Sequence, residues 1–547
     1  MNHDLLSLFQ ERLVTGLQRR SVTKCSKWAE LYRVMGPPFP GKWTFRYHPW
    51  LRSMHDSESE VNVGQKSAQM GYTETALNIA FYEIDIRGSD CLYVLPAKNP
   101  DASDFSASRF DPALELSPHL SRLFSNVKNV GHKRAGNANL FIRGSRSRSG
   151  LKSIPTGLII MDEVDEMCQE NIPLAMERSS GQLEKKAWLF STPTIPMVGI
   201  NKHYSESTQE RFLFKCPSCN RYTELVFPQC LEITAEEHTD PRIEDSFLKC
   251  RECDARLDHE TKWRWLQDGI WVPTYGQRPV RGFGINQLYS STVSPVKIAS
   301  SYLKSLRDQS EEQEFYNSTL GLEHIVEGAS VRDVDLEACI GSHKRGSRSN
   351  RLVTMGIDVG RWLHYEIDEW QVSPTATSAD LNVQSQPRVL DFGKVQHFEE
   401  LDGLMRDHGV AAAVIDANPE RRKAFEFAMR FNGFVRLCFY GAGIHGKQIH
   451  IGKDFEPTIT VDRTSWLDLS LGRFRSRPPG ISIPMDVSNE YKQHMKALVR
   501  IFERDSNGNP VGRYVRGNDE DHFAHARNYA ELALPFALSL AVSEDIA

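Results

Sequence analysis

Short apolar runs that end in polar or acidic residues recur along the 547-residue chain. Leu158-Ile159-Ile160-Met161 leads straight into Asp162-Glu163, the pattern of a strand buried on both faces with two carboxylates at its carboxyl end. Cys91 to Pro96 and Ala187 to Phe190 are further strand-like runs, the second ending at Ser191-Thr192-Pro193. Upstream, Val61-Asn62-Val63 predicts a short strand, Gly64 to Thr75 a turn, and Ala76 to Tyr82 a helix. In the second half Met355, Ile357 and Val359 alternate with Gly356, Asp358 and Gly360, so Asp358 sits on one strand face between two glycines. Arg388 to Phe392 predicts a neighbouring strand running to about Val395, and Ala411 to Asn418 again delivers an acid, Asp416. Arg421 to Phe431 predicts a helix stopped by Gly433. The last long helical pattern runs from Asn518 to Leu534, where Asp521 and His525, four apart, share a face. Strands alternating with helices predict an α/β protein.

Composition narrows the class. The length calls for about three or four domains, and 40% hydrophobic with 25% charged residues is ordinary for a globular chain. A formal net charge of −5 excludes a global basic field, so any nucleic-acid contact must come from local patches. Met1 to Arg20 carries Asp4 and Glu11 without an apolar core, which excludes a signal peptide. Leu532 to Val542, interrupted by Pro535 and Ser539, is too short to span a bilayer. The expectation is a soluble cytoplasmic protein with no membrane partner. Four of the ten cysteines fall in two CxxC pairs, which suits a reduced compartment and one metal site better than a disulfide framework.

The acid pair is where the chemistry begins. In nucleotide-hydrolysing sheets the first acid holds Mg²⁺ and the second polarises the attacking water, although a plain buried strand ending in an acidic loop has the same local pattern. Gly64-Gln65-Lys66-Ser67-Ala68-Gln69-Met70-Gly71-Tyr72-Thr73 supplies what a phosphate cradle requires: glycines, a cation in Lys66, and a hydroxyl in Thr73 for Mg²⁺. Tyr72 stands where the usual GxxxxGK[ST] order has lysine. The order strand, phosphate loop, helix, strand, acidic strand and Ser191-Thr192 strand end resembles the additional-strand P-loop ATPases. That resemblance implies a γ-phosphate-sensing, coupling role for Ser191 and Thr192. A basic run, Lys133, Arg134, Arg143, Arg146, Arg148 and Lys152, precedes the acids and suits a DNA channel or an arginine finger.

Cys216-Pro217-Ser218-Cys219 and Cys250-Arg251-Glu252-Cys253, 30 residues apart, are two knuckles able to set four thiolates around Zn²⁺. Asn220 and Asp254 follow as turn residues. Four ligands close the site, so the metal is structural. Cys230 between them is read as a spare thiol. Lys344 to Arg351 is a basic, turn-prone linker. Beyond it, Asp358, Asp416 and Asp521 on separate elements suit two Mg²⁺ or Mn²⁺ ions about 4 Å apart, which stabilise attacking and leaving oxygens of a phosphodiester. Asp519 and Glu520 compete with Asp521 for the third place, Asp391 has no assigned role, and Arg473, Arg475 and Arg477 are candidate phosphate contacts.

Gln65 to Thr73, then Gly144-Ser145-Arg146-Ser147 leading to Met161-Asp162-Glu163-Val164-Asp165-Glu166, resemble the large terminase subunit of tailed double-stranded DNA phages, GpA-type branch. The resemblance extends from about Trp28 to Pro535, including the tryptophan-rich tail of the knuckle segment, Trp263, Trp265 and Trp271. It implies an early phosphate-loop lysine, Lys66, which accounts for Tyr72. It further implies Gly71 and Thr73 as loop and Mg²⁺ residues, Asp162 as metal acid, Glu163 as catalytic carboxylate, and Trp43 to Trp50 as the adenine side. Lys152 stands where the branch often has arginine. The acid order strand, strand, late helix resembles the ribonuclease H-like nuclease of terminases.

The implied layout is an N-terminal helical segment over 1–40, a P-loop ATPase core over 41–210, and a zinc ribbon over 211–275. A connecting region over 276–350 and a ribonuclease H-like nuclease over 351–547 complete it. The implied function is ATP-driven DNA packaging with cutting of concatemers. The implied partners are double-stranded DNA, a small terminase subunit and the procapsid portal, with a homo-oligomeric ring in the host cytoplasm. A helicase or translocase without nuclease activity, and a non-catalytic zinc-ribbon DNA-binding scaffold, are the alternatives.

Overall fold

The apolar runs of the first half lie side by side as parallel strands with their carboxyl ends on one edge. In the computed structural model, residues 22–544 and Leu6 are described, apart from 125–126, 153, 348, 442–443, 445, 454–455 and 505–508. The chain divides into two compact units, Met1–His324 and Ile325–Ala547. Half of the segment over 1–40 that was expected to be helical, residues 1–5 and 7–21, lies outside the described residues. Cys25–Tyr32 within it is a helix.

In the first unit, β1 (Val61–Lys66), β2 (Cys91–Leu95), β3 (Ala138–Gly144), β4 (Leu158–Asp162) and β5 (Lys186–Ser191) form the parallel centre of an 11-stranded sheet. β5 lies between β1 and β4, pairing Gln65 with Ser191 and Phe190 with Asp162. Every residue of β4 is buried, as its continuous apolar run predicts. β1 is longer than expected and takes in Lys66, because a further parallel strand flanks its other side. The carbonyl of Ile285, at the end of that strand, accepts the Ser67 N–H at 3.0 Å. That strand, Arg281–Ile285, comes from the stretch read as connecting. Helix α1 (Tyr72–Tyr82) starts where Gly71 turns left-handed at φ 84°. A Cβ on Gly64 would lie 2.6 Å from the rings of Phe190 and Tyr72, so this glycine seats Tyr72 on the sheet.

In the second unit, β6 (Leu352–Val359), β7 (Leu363–Gln371), β8 (Gln386–Val395), β9 (Ala412–Asp416) and β10 (Val435–Tyr440) belong to a 7-stranded sheet of order β8-β7-β6-β9-β10, continued by Thr458–Val461 and Ile449–Ile451. β6, β7 and β8 are antiparallel, whereas β6, β9 and β10 are parallel. β7 was not expected. Its polar residues His364, Glu366 and Asp368 are all buried, and that is explained by helix α2 (His522–Glu544) lying across them. Arg527 of α2 donates to Glu366 at 2.9 Å and also to Asp368 and Glu531. Arg473 chelates Glu531 at 2.6 and 2.8 Å. α2 begins at His522, four residues later than the pattern suggested, so Asp521 immediately precedes it. Gly356 makes its contact with α2 rather than with the acid site. A Cβ there would stand 2.0 Å from the Ala526 carbonyl oxygen and 2.1 Å from the Ala530 nitrogen.

Among the described residues no helix is long and apolar enough to cross a membrane. Gly356→Ala must push α2 off β6, so urea denaturation should show a loss of about 3 kcal/mol; an unchanged midpoint would contradict the packing.

Candidate functional site

The carboxyl edge of the first sheet gathers Lys66, Asp162, Glu163, Ser191 and Thr192. Lys66 Nζ lies 3.0 Å from Glu163 Oε1. Glu163 sits at φ 64°, a left-handed conformation that costs a non-glycine residue about 1–3 kcal/mol. Asp162 accepts from the Tyr93 hydroxyl at 2.7 Å and is bonded by the Thr73 side chain, while its Oδ1 is buried with no partner. Burial, reinforced by the Glu163 charge, pushes the Asp162 carboxyl up to about 6, with Lys66 opposing.

A cavity of about 900 Å³ opens here, lined at one end by Lys66, Gln69, Thr73, Glu163 and Thr192. Phe39, Trp43, Tyr47 and His48 line the other end, within and beside the segment expected on the adenine side. Trp43 Nε1 and Arg33 Nε, both donors in side chains that line it, are buried without an acceptor.

Not every residue of Gly64 to Thr73, the stretch expected to cradle phosphate, presents its side chain to that cavity. Gln65 points into protein, accepting from Asn201 at 3.1 Å and donating to the Gly321 carbonyl at 3.0 Å. Ser67 is fully buried with an unpartnered hydroxyl, and Tyr72 packs edge-on against Phe190. The loop is braced by the Ser318 carbonyl, which accepts Ala68 N–H at 2.8 Å. Ser191 Oγ accepts the Asp165 N–H at 3.2 Å. Asp165 in turn takes the N–H groups of Thr194 at 2.8 Å and Ile200 at 2.7 Å, clamping the segment after Ser191-Thr192 to the acidic strand end. Burial pushes Asp165 up to about 6 despite those donors.

Of the basic run, Lys133 is buried against Asp111 at 2.8 Å and Arg143 is bonded to backbone carbonyls, whereas Arg134, Arg146, Arg148 and Lys152 are exposed. Two arginines at the cavity were missed: Arg33, paired with Glu74 at 2.7 Å, and the exposed Arg109, 3.7 Å from the same carboxylate. Arg33 lies 33 residues before Lys66 in no motif, so spacing offered no signal.

The sulfur atoms of Cys216, Cys219, Cys250 and Cys253 lie within 4.8 Å of one another. Each knuckle ends in a left-handed residue, Asn220 at φ 58° and Asp254 at φ 55°. The two turns are built alike. Asn220 N donates to Cys216 O at 2.9 Å, and Asp254 N to Cys250 O at 2.8 Å. Cys230 is buried outside the quartet, its thiol on the Glu224 carbonyl.

The second sheet has a comparable edge. β6 and β9 run in register, Ile357 beside Ile415, which sets Asp358 and Asp416 at adjacent strand ends. Burial, with the Asp358 charge adding to it, raises Asp416 to about 6. Asp521 bonds His525 at 3.4 Å; burial alone would raise its carboxyl, but His525, Arg516 and Arg463 bring it down to about 2. The three aspartates do not form a single tight group. The ligand atoms within 4.8 Å of one another belong to Asp358, His364 and His522, two histidines the sequence reading did not single out. Glu520 contacts His522 Nε2 at 2.6 Å. Asp391 pairs with Arg345 at 2.9 Å, and Arg348 of the same linker lies outside the described residues.

Of the expected phosphate contacts Arg473, Arg475 and Arg477, the structure takes Arg473 out of reach by burying it on Glu531, while Arg475 donates to the Gly328 carbonyl and the exposed Arg477 pairs with Asp335 at 2.7 Å.

Residues 38–271 match the family model for the ATPase domain of the phage terminase large subunit gpA. A curated relative, the large terminase subunit of Enterobacteria phage P21, is 24% identical over 317 residues, a match covering 52% of this chain and 49% of the relative. The chain thus spans about half the length of that relative. The large terminase of bacteriophage HK97 has a similar fold, with a TM-score of 0.50 at 10% identity over 93% of this chain and 98% of that one.

Asp165 yields a pH prediction. Its ordinary value of 3.8 rises to about 6 on folding, so folding takes up its proton. The stabilising contribution is complete below pH ~4 and is lost as pH climbs through ~6, roughly 3 kcal/mol in all. Asp165→Asn cannot titrate. Wild-type stability should therefore fall relative to the variant between pH 4 and 7 in urea titrations, and a pH-independent difference would refute the assignment.

Proposed function

Since the chain belongs to the phage terminase large subunits, we propose that it moves double-stranded viral DNA into a procapsid by ATP hydrolysis and cuts concatemers with a divalent-metal nuclease. The observation that carries the motor half is the 3.0 Å Lys66–Glu163 pair beside buried Asp162 on the edge of the 900 Å³ cavity. In this reading residues 41–210, with the strand Arg281–Ile285 added to their sheet, are an additional-strand P-loop ATPase core, 211–275 a zinc ribbon and 351–547 a ribonuclease H-like nuclease. The strand ending at Ser191, inserted between β1 and β4, supports the first assignment. The order of β8 to β10 around Asp358 and Asp416 supports the last.

The donor sets fit the groups this activity requires. Asp162, with one unpaired buried oxygen beside the Thr73 hydroxyl, fits a hard cation. Mg²⁺ held there neutralises phosphate charge. Lys66 binds phosphate oxygens, released from Glu163 for that purpose, and Glu163 then polarises the attacking water. The unpartnered N–H groups of Trp43 and Arg33 suit acceptors on ATP. Asp165 ties Glu163's turn to residues 194–200, so Ser191 and Thr192 pass a change at the phosphates to the adjoining surface. Four clustered thiols fit structural Zn²⁺. At the second edge Asp358 and Asp416, with Asp521 near the start of α2, would hold divalent cations, which when bound would supply positive charge to the oxygens of a phosphodiester. The exposed Arg146, Arg148 and Lys152 suit the DNA backbone. A small subunit, the portal and a ring of further copies, in the host cytoplasm, complete the reading.

Three outcomes are expected. Glu163→Gln should lower ATP turnover by at least about 100-fold while plasmid cutting persists. Asp358→Asn should do the reverse; a variant that still cuts would remove the nuclease assignment. Colorimetric titration of the purified chain should find one zinc per chain, and a strong chelator or Cys250→Ser should lower its thermal midpoint. A metal-free chain of undiminished stability would refute the ribbon.

A further inference from the structure

The aromatic end of the 900 Å³ cavity is held from outside by residues that follow the second cysteine knuckle. Tyr47 and His48, which line it, belong to a turn closed by the His48 N–H on the Phe45 carbonyl at 3.2 Å. Arg46, in the middle of that turn, is exposed and carries its guanidinium 3.7 Å from the centroid of the Trp263 ring. The Arg46 carbonyl accepts from the Gln267 side chain at 2.7 Å. Beyond the turn, the Trp50 carbonyl accepts from Trp271 Nε1 at 2.8 Å, and the His48 ring meets that of Trp50 edge-on at 5.1 Å. The clamp has a fixed base. Lys262, next to Trp263, is wholly buried and donates to the carbonyls of Leu288 and Ser290 at 2.8 and 2.7 Å. Trp265 packs at 4.8 Å on Phe214, two residues before Cys216. Shifting the helical turn Lys262–Trp265 would leave a buried donor unsatisfied, so Trp263 and Gln267 are presented to Arg46 in one position.

We infer that Trp263 and Gln267 are positioning residues for the nucleotide: through Arg46 they hold the aromatic wall against which its base stacks. The inference rests on the ATPase reading of this cavity. A flat base gains from an aromatic face only while that face keeps its orientation. Tyr47 and His48 sit on a surface turn, and the grip on Arg46 is what stops that turn from swinging. The guanidinium contact needs an aromatic ring and is strongest with tryptophan. Lys66, paired with Glu163, stands at the other end of the cavity, so the clamp acts on the base and not on the phosphates. The cysteine-knuckle module thereby serves nucleotide binding.

Calorimetry on the full-length chain would compare a non-hydrolysable ATP analogue with tripolyphosphate, both with Mg²⁺. Trp263→Ala should weaken the analogue at least about fivefold, and the surface change Gln267→Ala about threefold. Tripolyphosphate, which has no base, should bind both variants as it binds the wild type. Trp263→Phe should recover most of the loss, and Trp263→Ala should add little once Arg46→Ala is present. A loss shared equally by both ligands in Trp263→Ala and Gln267→Ala marks a merely structural role and overturns the proposal. Unchanged analogue affinity in both variants also overturns it, and leaves the ATPase reading standing. A wild-type chain that binds neither ligand sinks that reading together with this one.

Discussion

Parallel strands share a polarity, and that single constraint organises both units. When neighbouring strands run the same way and in register, whatever follows each apolar run arrives on one edge. Gln65 beside Ser191 and Phe190 beside Asp162 bring a lysine, a hydroxyl and two carboxylates together from stretches over a hundred residues apart. Ile357 beside Ile415 does the same for Asp358 and Asp416. The edge is also where burial begins, so carboxylates delivered there are partly stripped of water, and Asp162 and Asp416 both rise to about 6.

Legibility in the sequence follows the range of the forces involved. β4 is apolar throughout and needs only local pattern to be found. The Cys knuckles are equally local, and their turn residues Asn220 and Asp254 take the left-handed geometry those residue types tolerate. β7 was hidden because Leu363 to Gln371 buries His364, Glu366 and Asp368, residues that read as solvent-facing until Arg527, about 160 residues later, is laid against them. The same long-range pairing concealed His364 and His522 at the second edge and removed Arg473 from the surface. Tyr72 and Gln65 were legible as members of a phosphate loop, but not as side chains turned toward the protein. That depends on which face of β1 meets Phe190 and Asn201.

Glu366, Asp368, Glu531, Arg473 and Arg527 form a fully desolvated ionic cluster under α2. Such clusters contribute little net stability compared with apolar packing, yet removing one member leaves an uncompensated charge and costs about 3–5 kcal/mol. The cluster therefore acts on register: a slip of α2 along β6 would strand a guanidinium in the core. Since Asp521 and His522 stand at the head of this helix, the register of the cluster sets how far they reach toward Asp358.

Gly321 and its neighbours carry a different implication. Gln65 holds the Gly321 carbonyl, Ala68 holds that of Ser318, and a Cβ on Gly321 would come within 2.6 Å of the Ser67 nitrogen. The first unit ends three residues later, at His324. The loop that follows β1 and the end of the first unit are thus stitched to each other, so neither can shift without the other giving way.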